Sequence, residues 1–227
     1  KLSKSFVLLN FLFLTYIAEI SLKIIDVDNV ICYNIFRTFL RHSTGVAGGN
    51  LMDLFVKKGL YAVTNPGSNT KLASGIAPIT RFLEKGVNVS LGTDGASSNN
   101  CLDMFREMFL VTGLAKVKAF DAAAVDANDV LRMATVEGAH AMGLYDADVL
   151  AEGKFADLIM IDLMQPNMQP LHNITKNIVY SGSKQNVKMT MVNGKVLYED
   201  GKFDVGTPVE EIYAKANEII ARLAAEA

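Results

Sequence analysis

Histidine and cysteine are scarce in this sequence. Its 227 residues include three histidines (His42, His140, His172), two cysteines (Cys32, Cys101), five prolines and no tryptophan. Two widely separated cysteines exclude a disulfide scaffold and a CxxC redox or zinc pair. They read as free thiols in a reducing compartment, so the cytoplasm is the expected location. Three histidines limit every metal or acid–base scheme, and no His-x-His pair occurs anywhere. No charge of one sign dominates: 22 Lys and Arg face 24 Asp and Glu, for a net charge of −2. That balance argues against a nucleic-acid partner, which needs a basic excess. No apolar run reaches the ~20 residues of a membrane span. What is abundant is apolar surface. Half of the residues are hydrophobic, enough to exclude a disordered chain. The length suits one large domain or two modest ones.

Composition shifts along the chain. Residues 1–41 are rich in Phe, Leu, Ile, Asn and Lys, and Ala18 is their only alanine. From about Gly45, alanine and glycine become common. Phe6 to Ile20 is the most hydrophobic run, broken by Asn10, Thr15 and Glu19. It reads as a buried strand or helix of a soluble core. A signal peptide starting at Lys1 and Lys4 is a second reading, although Tyr16–Ile17–Ala18 offers one small residue where cleavage wants more. A foreign start is a third, and the composition break keeps it open.

From Leu51 the pattern alternates between helix and strand. Leu51, Leu54 and Phe55 form a helical face ending at Gly59. Leu60–Val63 is a short apolar strand. Ile76–Lys85 reads as a helix closed by Gly86. Val87, Val89 and Leu91 alternate with Asn88 and Ser90 as a strand. Gly92 to Asn100 reads as a loop. A helix then buries Leu102, Phe105, Phe109 and Thr112, and another spans Asp129–Met142 up to Gly143. Repeated strand–loop–helix implies a parallel α/β arrangement with active groups in loops after strands. A soft boundary falls near Asp146–Gly153. Beyond it Asp157–Asp162 is a strand, and Val187–Val192 and Lys195–Tyr198 flank the hairpin signal Asn193–Gly194. Thr207–Glu210 reads as a capping box opening a last helix. Val209, Ile212, Ala216, Ile219 and Leu223 are its expected buried stripe. The methionines read as core filler. His140 and His172 read as ordinary packed or surface side chains.

Two loops carry candidate chemistry. In Leu91–Gly92–Thr93–Asp94–Gly95 a carboxylate follows a buried strand, with glycines on both sides of the Thr–Asp pair. Glycine lets a ligand approach closely. Such an aspartate can hold a metal ion and take a proton from metal-bound water; it can equally cap its own turn. Asn65–Gly75 also follows a strand and is dense in amide, hydroxyl and glycine groups. It suits a polar small molecule, or it is a surface loop bonded to its own backbone.

Together these stretches are diagnostic. Asn65, Pro66, Ser68, Asn69, Lys71, Leu72, Ser74 and Gly75 are followed by Gly92–Thr93–Asp94–Gly95, then Ser98–Asn99–Asn100 and Asp103–Met104. This series resembles the amidohydrolase superfamily, in its branch of adenosine-type and chlorohydrolase-like deaminases. Glu152–Ile159 and Val192–Lys195 are similar to that family's terminal segment. The resemblance runs from about His42 to the C-terminus. It implies the C-terminal part of a metal-dependent (β/α)8 barrel plus a small β-sandwich segment. It also implies hydrolytic deamination of a purine nucleoside of the methylthioadenosine or S-adenosylhomocysteine type, with a divalent metal, zinc by preference. By the same resemblance Asp94 would hold the metal and take the proton. His42 would steady the attacking hydroxide, and Glu19 would protonate the ring nitrogen. Asn65, Ser68, Asn69, Ser97 and Asn99 would line the substrate pocket.

The departures are as specific as the matches. Tyr16 stands where the family has a metal-binding histidine, and Thr64 stands where it has His before Asn-Pro. A full barrel takes ~250 residues, far more than residues 42–150 provide. The expected organisation is an N-terminal segment of open assignment (1–41), a partial barrel (42–150), and a β-sandwich segment with a C-terminal helix (151–227). The chain, opening on Lys1, is expected to be the C-terminal portion of such an enzyme. An inactive remnant is the competing expectation, and a chlorohydrolase or guanine deaminase is a third. An open sheet edge predicts aggregation or a homo-oligomer.

Overall fold

The computed structural model describes residues 6–9, 30–32 and 48–226. Glu19, His42, Tyr16 and most of the Phe6–Ile20 run lie outside the described residues. In chain order the strands are β1 (Phe6–Leu9), β2 (Val30–Cys32), β3 (Tyr61–Thr64), β4 (Asn88–Leu91), β5 (Leu158–Asp162), β6 (Val187–Val192), β7 (Lys195–Glu199) and β8 (Lys202–Phe203). The helices are α1 (Gly48–Lys58), α2 (Pro66–Lys71), α3 (Ile79–Glu84), α4 (Ala96–Asn99), α5 (Met104–Ala119), α6 (Ala127–Ala134), α7 (Val136–Ala141), α8 (Ile174–Tyr180) and α9 (Val209–Ala225). No helix among the described residues is long and apolar enough to cross a membrane.

Two sheets organise the chain. β2, β3 and β4 are parallel, in that order, with helices between β3 and β4 and after β4. Alternation in Val87–Leu91 predicts one buried face, yet Val89, Ser90 and Leu91 are all buried. A parallel strand covered on both sides has no solvent face. Tyr61 pairs with Asn88 and Thr64 with Leu91, so β3 and β4 end side by side. The Gly92 N–H extends the ladder by donating to the Thr64 carbonyl at 2.9 Å. That register brings the two candidate loops out next to each other.

The second sheet is antiparallel, in the order β1–β5–β6–β7–β8. Its β6–β7 turn is the expected hairpin: Asn193 and Gly194 both have positive φ, 47° and 78°, as a type I′ turn requires. In β5 the side chains alternate, with Ile159 and Ile161 buried.

One apolar cluster joins these parts. Met104, Met108 and Val111 of α5 pack with Val130 and Met133 of α6, Leu91 of β4, and Ile159 and Ile161 of β5. Burial of each such side chain is worth about 1.5–3 kcal/mol relative to exposure. Met52, Met104, Met108, Met133 and Met168 are core, as expected of methionine, whereas Met164 is exposed.

Several sequence expectations shift. Leu54, Leu102 and Phe109 are exposed; α5 buries Met104, Phe105, Met108, Val111 and Thr112 instead. Its first turn begins after Asp103, whose carboxylate accepts from the Phe105 and Arg106 N–H groups, and that start sets the buried face. Gly92–Asn100 contains the short α4 rather than only loop. The expected Asp129–Met142 helix is two helices, α6 and α7, broken at Thr135 with φ −125° and ψ −89°. Ile76–Lys85 is helical only from Ile79, after Pro78. The capping box before α9 does not form, and Pro208 holds the cap position. No residue of α9 is buried, so its apolar stripe faces outward.

Candidate active site

The site lies where the segments following β3 and β4 meet. α2 starts directly after β3 with Pro66, suited to a first helical turn because it lacks an N–H. Ser68 in that turn is fully buried, and its Oγ donates to Asp94 Oδ2 at 2.7 Å. Asp94, half-buried after β4, holds a φ of +61°. Its Oδ1 accepts from the Gly95 N–H at 2.7 Å. A left-handed residue other than glycine is uncommon, and aspartate is among the types that tolerate it.

Behind this pair stands Glu107 of α5, which is fully buried. Its Oε2 accepts from the Gly67 N–H at 2.7 Å, and its Oε1 accepts from Asn99 Nδ2 at 2.8 Å. Burial pushes the Glu107 carboxyl up from its ordinary range, against the lowering effect of those two donors. Asn99 Nδ2 also donates to the Thr93 carbonyl at 2.7 Å. A Cβ on Gly67 would lie 2.2 Å from Glu107 Oε1, so only glycine fits there. On the outer side, Lys71 Nζ donates to the Ser97 carbonyl at 3.1 Å and to Asn100 Oδ1.

The residues singled out in the sequence are placed as follows. Asn65, Ser68 and Asn69 are buried in or just before α2; Asn99 is buried at the end of α4, and Ser97 is exposed at the rim. Asn69 lines a narrow cleft with Thr64, Ile76 and Val111, and its buried Oδ1 has no hydrogen-bond partner. Ser68, Asp94, Asn99 and Lys71 come together; His42 and Glu19 lie outside the described residues. His140 is in α7, paired with Asp148 at 3.0 Å, and His172 is exposed. Glu107 escaped the sequence reading. Its signal was present: a charged residue three positions after Met104 and four before Val111 sits on the apolar stripe of a helix.

Residues 22–197 match the amidohydrolase family. The chain belongs to that family. It is 44% identical over 162 residues to a 5'-deoxyadenosine deaminase of Methanothermobacter thermautotrophicus, covering 71% of this chain and 37% of the relative. It is 46% identical over 149 residues to a 5-methylthioadenosine/S-adenosylhomocysteine deaminase of Thermococcus onnurineus, covering 66% of this chain and 35% of that one. Among solved structures it resembles an adenosine deaminase from Xanthomonas campestris with bound zinc, with a TM-score of 0.77 and 31% identity over 92% of this chain and 46% of that one. It also resembles an atrazine chlorohydrolase from Arthrobacter aurescens complexed with zinc, with a TM-score of 0.66 and 27% identity over 77% of this chain and 39% of that one. The chain therefore spans less than half the length of each of these proteins.

A zinc site takes about three or four N, O or S protein ligands. Among the described residues no group of three His, Cys, Asp or Glu side chains converges. Asp94 supplies one carboxylate, whose two oxygens accept from Ser68 and Gly95 and each keep a second lone pair. The described residues therefore do not by themselves fit the ion.

Proposed function

We propose that this chain belongs to a metal-dependent hydrolytic deaminase acting on a purine nucleoside of the methylthioadenosine or S-adenosylhomocysteine type. The observation that carries the reading is the junction of two loops after adjacent parallel strands, with Ser68 on Asp94. The deaminase activities of the similar proteins support the same reading. Asp94 is the candidate oxygen ligand and proton holder. Ser68 keeps one of its oxygens oriented, and Asn65, Asn69, Ser97 and Asn99 are the candidate polar lining for a nucleoside. His42 and Glu19 remain the candidates for steadying the attacking oxygen and for protonating the ring. The antiparallel sheet would be the chain's share of a terminal β-sandwich, beside a partial barrel.

A second reading is an inactive chain that keeps the fold without the chemistry. It is favoured by the lack, among the described residues, of three converging His, Cys, Asp or Glu side chains and by the three histidines of the whole sequence. Purified 227-residue chain, equilibrated with zinc, is analysed for bound metal and for ammonia release from methylthioadenosine, S-adenosylhomocysteine, 5'-deoxyadenosine and adenosine. Stoichiometric zinc with ammonia release supports the deaminase. Neither zinc nor ammonia overturns it for this chain and leaves the inactive reading.

A further inference from the structure

Glu107, Gly67, Ser68, Asp94, Thr93 and Asn99 form a closed circuit. Glu107 Oε2 accepts from the Gly67 N–H. The next residue, Ser68, donates to Asp94. The residue before Asp94 is Thr93, whose carbonyl accepts from Asn99 Nδ2, and that same amide nitrogen donates to Glu107 Oε1. Glu107 Oε2 is thus one residue removed from Ser68, while Oε1 reaches Asp94 through the Asn99 amide and the Thr93 carbonyl. We infer that Glu107 is a positioning residue: through Gly67 on one side and Asn99 on the other, it holds the Ser68 hydroxyl on Asp94 Oδ2.

Three observations support this. Both Glu107 oxygens are occupied by N–H donors from two different short helices, α2 and α4, so the carboxylate bridges them rather than serving one. A charged group this deeply buried is costly unless every oxygen is used. The carboxylate also fills the space that a side chain at Gly67 would need, which fixes the distance between α2 and α5. Asp94 meanwhile sits at a φ that surrounding structure must impose. Glu107 holds α2 and the end of α4 in this way whether or not the chain deaminates nucleosides.

The test is carbon NMR of the full chain labelled at aspartate carboxyl carbons, with the Asp94 signal assigned by its loss in Asp94→Asn. Ser68→Ala removes the donor and sets the reference shift. Glu107→Gln keeps size and shape but turns an NH2 toward one of the two N–H donors, so one link must break. The expected result is that E107Q moves the Asp94 signal as S68A does, and that the double variant moves it no further. A bracing role confined to stability would lower the melting temperature, leave the Asp94 signal in place and make the two substitutions additive. Either of the last two results overturns the inference. Should E107Q fail to fold, Asn99→Ala opens the circuit from the other side and is held to the same standard: an unmoved Asp94 signal overturns it.

Discussion

Ser68 and Asp94 are 26 positions apart, yet the serine hydroxyl meets the carboxylate at 2.7 Å, with Asp94 in the left-handed region. Two substitutions separate these features. Asp94→Asn keeps an acceptor oxygen and a side chain that tolerates positive φ. Asp94→Ala keeps neither. Alanine in that backbone region costs roughly 1–2 kcal/mol, so D94A is expected to unfold more easily in urea than D94N by about that amount.

Two glycines make opposite predictions. A Cβ at Gly67 meets Glu107 Oε1 at 2.2 Å, while one at Gly113 in α5 meets nothing within 4 Å. Gly67→Ala overfills a packed site and is expected to cost about 1–3 kcal/mol. Gly113→Ala relieves a flexible residue inside a helix and is expected to gain roughly 0.5–1 kcal/mol. Paired denaturation curves check both, and equal effects would contradict the packing described.

Asp148 provides a pH test. Lys154 at 2.8 Å, then His140 at 3.0 Å, hold its carboxyl well below the ordinary range, at about 2. An acid whose pKa is lower folded than unfolded stabilises the fold above its unfolded value of 3.8. That contribution is lost as pH falls toward 2. Glu107 is shifted in the opposite direction, so the difference between the native chain and Asp148→Asn isolates Asp148. Stability measured from pH 6 down to pH 2 is expected to converge for the two proteins at the acid end.

Helix α9 leaves Ile212, Tyr213, Ile219, Ile220 and Leu223 exposed. Apolar side chains gathered on one element favour association. Light scattering is expected to give a mass that rises with protein concentration. Ile219→Lys combined with Ile220→Lys is expected to lower it, and no response to either would leave α9 without a part in association.

Local signals were the most legible. Gly59, Gly86 and Gly143 each end a helical segment with positive φ, and Asn193–Gly194 makes its hairpin. These features depend on a few adjacent residues. The stripe on α9 and the single Asp129–Met142 helix follow from periodicity, which cannot say what a face meets or where Thr135 breaks the chain. That Asp94 and the Asn65–Gly75 segment each follow a strand was readable from the apolar runs before them; that Ser68 meets Asp94 was not, because it depends on the register of β3 and β4. Glu107's place on the apolar stripe of α5 was readable and was passed over; its partners, a backbone N–H forty positions away and the Asn99 amide of α4, were not readable. No spacing rule reports such a meeting.

The edge of the antiparallel sheet carries a consequence for how the chain is made. β6, β7 and β8 form a meander of near neighbours, but Leu9 of β1 pairs with Ile159 of β5, about 150 positions later in the chain. During synthesis the first strand leaves the ribosome long before its partner exists. The meander can zip promptly, whereas β1 must wait, unpaired, for residues 158–162. A join of such long range is entropically late and slow, so closure of β1 onto β5 is the step at which this chain most needs protection from its own apolar edge.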